Sequence, residues 1–153
     1  MRERYDNYPE ARFGMLASSR DKLLESHGVP NSWAATRRLR LGPWFVDGDE
    51  SSESCRQLDK CATEFQAQGL ELDMAMVAWG SDLLRARGAW DSSGSRKYRN
   101  GDVKVHDPHQ LRLNAYRVLL TRGRDGSVIF VPQDRALDET WAFLKDVGFQ
   151  VLT

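Results

Sequence analysis

The sequence predicts an α/β fold, an open and mostly parallel sheet with flanking helices. Three observations predict it. Strand-like and helix-like segments alternate along the chain, as parallel sheets with crossover helices require. The segment Leu70–Gly80, LELDMAMVAWG, is almost continuously apolar after Asp73, the pattern of a strand covered on both faces. Ser127–Pro132, SVIFVP, is a short β-branched run stopped by proline.

Taken in order, the elements follow from local patterns. Ala11–Ser19, ARFGMLASS, reads as a buried strand ending in small polar residues. Those serines can cap a helix, SRDKLLESHG, that stops at Gly28. Asn31–Asp49 contains one proline and two glycines and reads as irregular. Asp47–Ser54 is a polar, acidic loop. The next segment, CRQLDKCATEFQAQG, places Leu58, Cys61, Ala62 and Phe65 on one face of a short helix. The Leu70–Gly80 strand follows. Residues from about 81 to 109 are polar and glycine-rich, an irregular insertion or hairpin within a single domain spanning 1–153. Leu111, Tyr116, Leu119 and Leu120 mark a helix, and SVIFVP a strand. Asp138 opens an amphipathic helix through Trp141, Leu144 and Lys145 that ends at Gly148, and FQVL reads as a last strand.

Bulk properties narrow the function classes. The chain has 153 residues, of which 41% are hydrophobic and 29% charged, a length and balance that suit one domain with one core. Lys plus Arg and Asp plus Glu both number 22, so net charge gives no general pull toward nucleic acid or membrane; only local patches can. No apolar run reaches the length of a spanning helix, and the first residues lack the apolar core of a secretory signal. Cys55 and Cys61 are the only cysteines and do not form a zinc pattern, so a reducing, cytoplasmic setting is expected.

Two segments carry candidate chemistry. In Thr63–Asp73, TEFQAQGLELD, a glycine and a carboxylate separate a helix end from a buried strand. Gly69 frees the backbone for close approach to a ligand, and Glu71 can accept hydrogen bonds from hydroxyls such as those of a ribose. Taken alone, this reads as a helix stop before an edge-facing Glu. In Leu119–Gly126, LLTRGRDG, Arg122 follows a helix anchored through Leu119 and Leu120. A guanidinium held in this way matches phosphate oxygens in pairs. Taken alone, it is also what a helix C-terminus favours electrostatically.

Together, ATEFQAQGLELDMAMVAWG and YRVLLTRGRDGSVIFVP resemble motifs V and VI of superfamily 1 helicases. The resemblance is nearest to a domain family of unknown function related to viral and Schlafen-type helicase domains. RFGMLASSR fits the upstream segment, near motif IV, and the likeness covers about residues 12–152. It implies the second RecA-like domain of a two-domain ATP-driven motor, a P-loop-NTPase fold lacking its P-loop half. It places Arg122 as the catalytic arginine finger at the γ-phosphate. Gln68, Gly69 and Glu71 lie at the nucleotide with the Glu near the ribose, and Arg20 is the motif IV arginine. Arg124 pairs with Asp125 or with phosphate. Thr63 and its neighbours face the nucleic-acid strand. Many of these helicases carry His where this chain has Phe65. No G-x-x-x-x-G-K-[ST] loop occurs in the sequence, so ATP and Mg2+ are expected only with a P-loop RecA-like domain, in the same or a neighbouring chain, and the isolated chain is expected to be inactive.

Local basic and aromatic residues add a nucleic-acid expectation, with single-stranded nucleic acid as the partner. TRRLRLGPWF contributes Arg37, Arg38, Arg40 and Trp44. LLRARGAW and SRKYRNGDVK contribute Arg85, Arg87, Trp90, Arg96, Lys97, Tyr98, Arg99 and Lys104. An alternative is a stand-alone, helicase-derived module that binds nucleic acid or protein without catalysis. A further alternative is a metal-dependent nuclease built on Asp73, Asp102 and Lys104. HDPHQ, with His106, Asp107 and His109, reads as a cap of the Leu111 helix rather than a metal site.

Overall fold

The apolar runs pair as parallel strands in a computed structural model that describes residues 1–97 and 105–152. Strands β1 (Phe13–Ala17) and β3 (Leu72–Ala78) form the inner part of the sheet, with β2 (Cys61–Thr63) at one edge. With the later β6 (Gly123–Phe130) they give the order β2-β1-β3-β6, and every pair is parallel. All five residues of β1 are buried, and β3 is buried at Leu72, Met74, Ala75, Val77 and Ala78. The expected open parallel α/β sheet is therefore present.

Four local readings change. The helix expected over SRDKLLESHG is only a 3-10 turn, Leu24–His27, ended at Gly28. The helix expected from Cys55 is a 3-10 turn, Cys55–Gln57, closed by Leu58 in the left-handed region at φ 59°. Cys61, Ala62 and Thr63 then extend as β2 against Met15, Leu16 and Ala17. Pairing three backbone residues with a buried neighbour outweighs the weak helical spacing. The segment between Asn31 and Asp49 is not irregular: it forms α1 (Trp33–Thr36) and α2 (Leu41–Val46). FQVL forms no strand, and Val151 and Leu152 are exposed.

Short helix α2 is held by Trp44, which is fully buried. Its ring lies where a Cβ on Gly14 of β1 would approach it to 2.8 Å, so a side chain at Gly14 would displace the indole. Around it pack Leu16, Cys55, Ala62, Leu72 and Leu119.

The insertion is a hairpin, β4 (Leu84–Ala86) and β5 (Ala89–Asp91), and it packs rather than projects. Trp90 stacks on Trp79 at 5.5 Å and meets Phe143 edge-on at 5.2 Å. Arg85 covers both the Trp90 and Phe143 rings. Phe143 belongs to α4 (Asp138–Asp146), the amphipathic helix that starts at Asp138 as expected. Helix α3 (Pro108–Leu120) begins with Pro at its first position, and Asp107 accepts a hydrogen bond from the Gln110 amide. The HDPHQ segment thus caps a helix, and among the described residues no group of three His, Cys, Asp or Glu side chains could hold a metal ion.

Candidate functional site

In open α/β sheets the crevice for ligands lies at the carboxyl ends of strands where successive connections diverge. Here that point falls between β1 and β3, because the chain leaves β1 toward β2 and leaves β3 toward β6. The crevice is filled by side chains of α3. Arg112 is 2% exposed and pairs with Glu64 at 2.9 Å and Asp82 at 3.2 Å. Its Nη1 also donates to Ser18 Oγ at 2.7 Å, and the Ser18 hydroxyl donates to Asp82. Tyr116 donates from its hydroxyl to Asp82 Oδ1 at 2.6 Å and accepts from the Gly80 amide at 3.0 Å. Glu64 also accepts from the amide and hydroxyl of Ser19. A buried arginine shared by two buried carboxylates meets the requirement that an interior charge be paired and hydrogen-bonded.

The titration of this cluster follows from burial. Burial pushes the Asp82 carboxyl above its ordinary range, against the hydrogen bonds from Ser18 and Tyr116 and the charge of Arg112. Burial, and then the Asp82 charge, also raise the Tyr116 hydroxyl well above its usual value. A raised carboxyl in the folded state stabilises the fold below the ordinary carboxylate range and loses that contribution as pH rises through the folded pKa. Against an Asp82→Asn variant, the stability advantage of the wild type should therefore shrink as pH rises from the acid side toward neutrality. Urea denaturation of both proteins across that range checks this. A constant or widening gap contradicts it.

Beside this plug an open groove of about 950 Å³ lies over the carboxyl ends of β1 and β2. Ser19, Thr63, Gln66 and Thr36 line its floor and wall. The Thr63 amide and hydroxyl both donate to Gln66 Oε1, and Gln66 donates to the Thr36 carbonyl. Among the described residues, five cationic side chains border the groove: Arg20, Lys22, Arg37, Arg96 and Lys97. The last two arrive from the insertion because the Arg96 amide donates to the Arg20 carbonyl and Arg20 Nη1 donates to the Lys97 carbonyl. Among the described residues two aromatic rings line it as well, Trp33 at 69% exposure and Phe65 at 56%. The Arg37 guanidinium lies 4.4 Å from the Trp33 ring centre.

The opposite end of the sheet holds the second set of residues. Seven residues of β3 at roughly 3.3 Å each put the two ends about 20 Å apart. At this amino end Leu72 registers with Gly123, so the segment before β3 lies beside the segment before β6. Gly69 turns the chain at φ 80°, in the left-handed region where glycine is at home. Arg122 Nη1 donates to the Leu70 carbonyl at 3.3 Å, and Nε donates to the Val118 carbonyl of α3 at 3.1 Å. Gln68, Gly69 and Glu71 are exposed around this half-buried arginine. Arg124 is ion-paired with Asp73 and lies near Asp125.

The structure thus brings Arg122 together with the Gly69–Glu71 turn but not with Arg20, which lies beyond the other end of β1 on the basic groove. Arg20 is placed with Thr63, Arg96 and Lys97 instead. Trp44 requires correction: its ring is core and offers no face for a base. Trp90 is half-buried, packed against Trp79 and Phe143. Arg38 borders a separate small recess with Asp59 and Lys60, and exposed Arg40 lies outside the groove. Tyr98, Arg99, Asp102 and Lys104 lie outside the described residues. Asp73, the remaining member of the nuclease pattern, is engaged by Arg124 and by the Arg12 amide. The Cys55 thiol is pushed up to about 11 by burial, and burial raises Cys61 too, so neither is a thiolate at neutral pH. The sequence reading missed Glu64, Asp82, Arg112 and Tyr116, and also Trp33. A charged residue at a helical position facing Leu and Tyr in LRLNAYRVLL was the available signal for Arg112.

The topology and the two polar ends define an open parallel α/β domain with its polar residues gathered at the strand termini. The chain belongs to the Schlafen group 3 DNA/RNA helicase domain family, whose profile matches residues 1–133. That match runs through β6 and stops before α4. The protein is accordingly a helicase-like, helicase-derived module. No curated protein and no solved structure matches the chain. Among the described residues no helix is long and apolar enough to cross a membrane.

Proposed function

We propose that the chain is the second RecA-like half of an ATP-driven, helicase-like nucleic-acid motor. The observation that carries this reading is the hydrogen bond from Arg122 to the Leu70 carbonyl. It fastens the arginine of the LLTRGRDG junction to the turn that carries Gln68, Gly69 and Glu71. In this reading Arg122 swings its guanidinium onto the γ-phosphate, as its two parallel donors suit phosphate oxygens. Glu71 accepts from ribose hydroxyls, and the Gly69 backbone leaves room for the nucleotide. Exposed Gln68 and Arg124 border the same junction. Mg2+ and a phosphate-binding loop come from a P-loop RecA-like domain in the same or a neighbouring chain, and ATP supplies the phosphoryl group that is transferred to water. Residues Gln68, Gly69, Glu71 and Arg122 fit that partner half because all lie at one edge of the sheet with accessible polar groups.

The experiment is phosphate release by this chain joined to the P-loop RecA-like domain that accompanies it. Hydrolysis should require both halves. A P-loop half that hydrolyses ATP at the same rate with and without this chain overturns the reading.

A free-standing binding module is favoured by one separate observation, the basic and aromatic groove at the carboxyl ends of β1 and β2. That groove does not depend on ATP chemistry. Binding of nucleic acid with no effect on hydrolysis in the joined protein would select this second reading.

A further inference from the structure

We infer that the open edge of β6 is a self-association surface, on which a second copy of this chain docks about a two-fold axis. This assignment does not depend on the function proposed above. Among the described residues β6 pairs only with β3, so its other side is an edge of the sheet. Such an edge presents backbone N–H and C=O groups ready to pair with another strand. The Phe130 carbonyl accepts from the Trp79 amide, so the polar backbone of Phe130 turns inward to β3. Polar backbone groups of successive strand residues turn to opposite sides, and the register runs unbroken from Gly126 to Phe130. The N–H and C=O groups of Ser127 and Ile129 therefore face outward.

A groove of about 440 Å³ lies along this edge. Val128, Ile129 and Phe130 all line it. Successive strand side chains point to opposite faces, so a groove lined by all three wraps around the edge itself. Its other wall is Trp141 of α4 with Phe149, Val151 and Leu152.

The chemistry of the groove suits a copy of itself. Phe130, Trp141, Phe149, Val151 and Leu152 all remain exposed, Leu152 at 75%. With a whole aromatic side chain at about 150–250 Å², these residues leave on the order of 500 Å² of apolar surface per chain. Two copies face to face cover about 1,000 Å² before the edge backbones are counted, the size at which stable interfaces begin. A two-fold contact sets each patch against its own image, so an apolar patch is self-complementary and a charged one is not. Among the described residues Lys145 is the one charge lining the groove, and its ammonium lies 4.4 Å from the centre of the Trp141 ring of its own chain. Nothing in the groove selects a charged partner. Charges and proline, the usual blocks to edge pairing, stand to either side: Arg124 and Asp125 before it and Pro132 after it. Antiparallel pairing of two β6 edges joins two four-stranded sheets into one.

The test is sedimentation velocity of the complete chain over a range of concentrations, with amide hydrogen exchange at both ends of that range. Wild type should pass from monomer to dimer as concentration rises. The Ser127 and Ile129 amides should exchange at least tenfold more slowly in the dimer. Trp141→Glu and Leu152→Glu should each weaken the dimer at least tenfold. Circular dichroism should be unchanged in Leu152→Glu, whose side chain is too exposed to carry the fold. Val46→Glu, at an exposed apolar position of α2 outside the groove, should leave the dimer unaltered. A chain that stays monomeric throughout overturns the assignment and leaves the groove to a different apolar partner. A dimer that neither groove variant weakens, or that Val46→Glu weakens equally, overturns it as well. So does a dimer in which the Ser127 and Ile129 amides exchange as fast as in the monomer. The assay uses neither ATP nor a second domain, so its failure leaves the hydrolysis experiment standing.

Discussion

On the function proposed above, Arg122→Ala should abolish most ATP hydrolysis in a protein that joins this chain to a P-loop RecA-like domain, while the chain keeps its fold. Arginines that stabilise charge on a transferred phosphoryl group contribute about 10³-fold or more to turnover. The expected loss falls on kcat, because the interaction strengthens as the phosphoryl group transfers. Folding should survive. In the absence of nucleotide the side chain only holds three oxygens at the edge of the sheet, those of Val118, Leu70 and Thr121. Those oxygens lie at a half-exposed junction where water can replace the guanidinium. Arg122→Lys retains the charge and loses the planar fork, so it should recover only part of the activity. Steady-state phosphate release, with circular dichroism of each variant, checks both. Full turnover in Arg122→Ala would remove the role assigned to this residue.

The second large effect is on stability. Arg112→Ala should destabilise the isolated chain by about 3–5 kcal/mol, the usual cost of leaving a buried charge without its partner. Two carboxylates, Glu64 and Asp82, would be stranded at once, and both are almost fully buried. Neutralising them as well, in Arg112→Met with Glu64→Gln and Asp82→Asn, should recover a substantial part of the loss, because the cost lies in the unpaired charges. Urea denaturation of the three proteins measures this. A loss below about 1 kcal/mol in Arg112→Ala would mean that water enters the crevice and solvates the carboxylates. The same variant should loosen Ser19, which Glu64 holds by two hydrogen bonds at the rim of the groove.

The two ends of the sheet are linked through one helix. Arg112 near the start of α3 ties into the carboxyl-end cluster, and Arg122 lies two residues beyond its last residue. A rigid helix of thirteen residues therefore spans from the rim of the basic groove to the arginine junction. Its core contacts, Tyr116 and Leu119, are both buried.

Much of this was legible in the residue pattern. The parallel sheet followed from the apolar run at Leu72–Ala78 and from the alternation of elements, because a strand covered on both faces has few polar positions to spare. The caps at Asp107 and the start at Asp138 followed from local hydrogen-bonding chemistry. The approach of the Gly69 turn to Arg122 came from the strand register, which places Leu72 beside Gly123. What the tertiary structure alone decided were contacts between residues far apart in the chain. Trp33 and Trp44 flank the same basic run, Arg37–Arg40, yet Trp44 is fully buried against the bare backbone of Gly14 and Trp33 is 69% exposed. Arg20 belongs to the groove because the Arg96 amide reaches its carbonyl across 76 residues of chain. Arg112 reads as a helix-surface charge until β1, β2 and β3 deliver Ser18, Glu64 and Asp82 around it. Local pattern biases which residues extend or coil, since backbone hydrogen bonding and side-chain burial act over a few positions, but pairing with a neighbouring strand overrode it at Cys61–Thr63. It does not fix which distant charges share one low-dielectric crevice, since that depends on the order in which the strands are laid side by side.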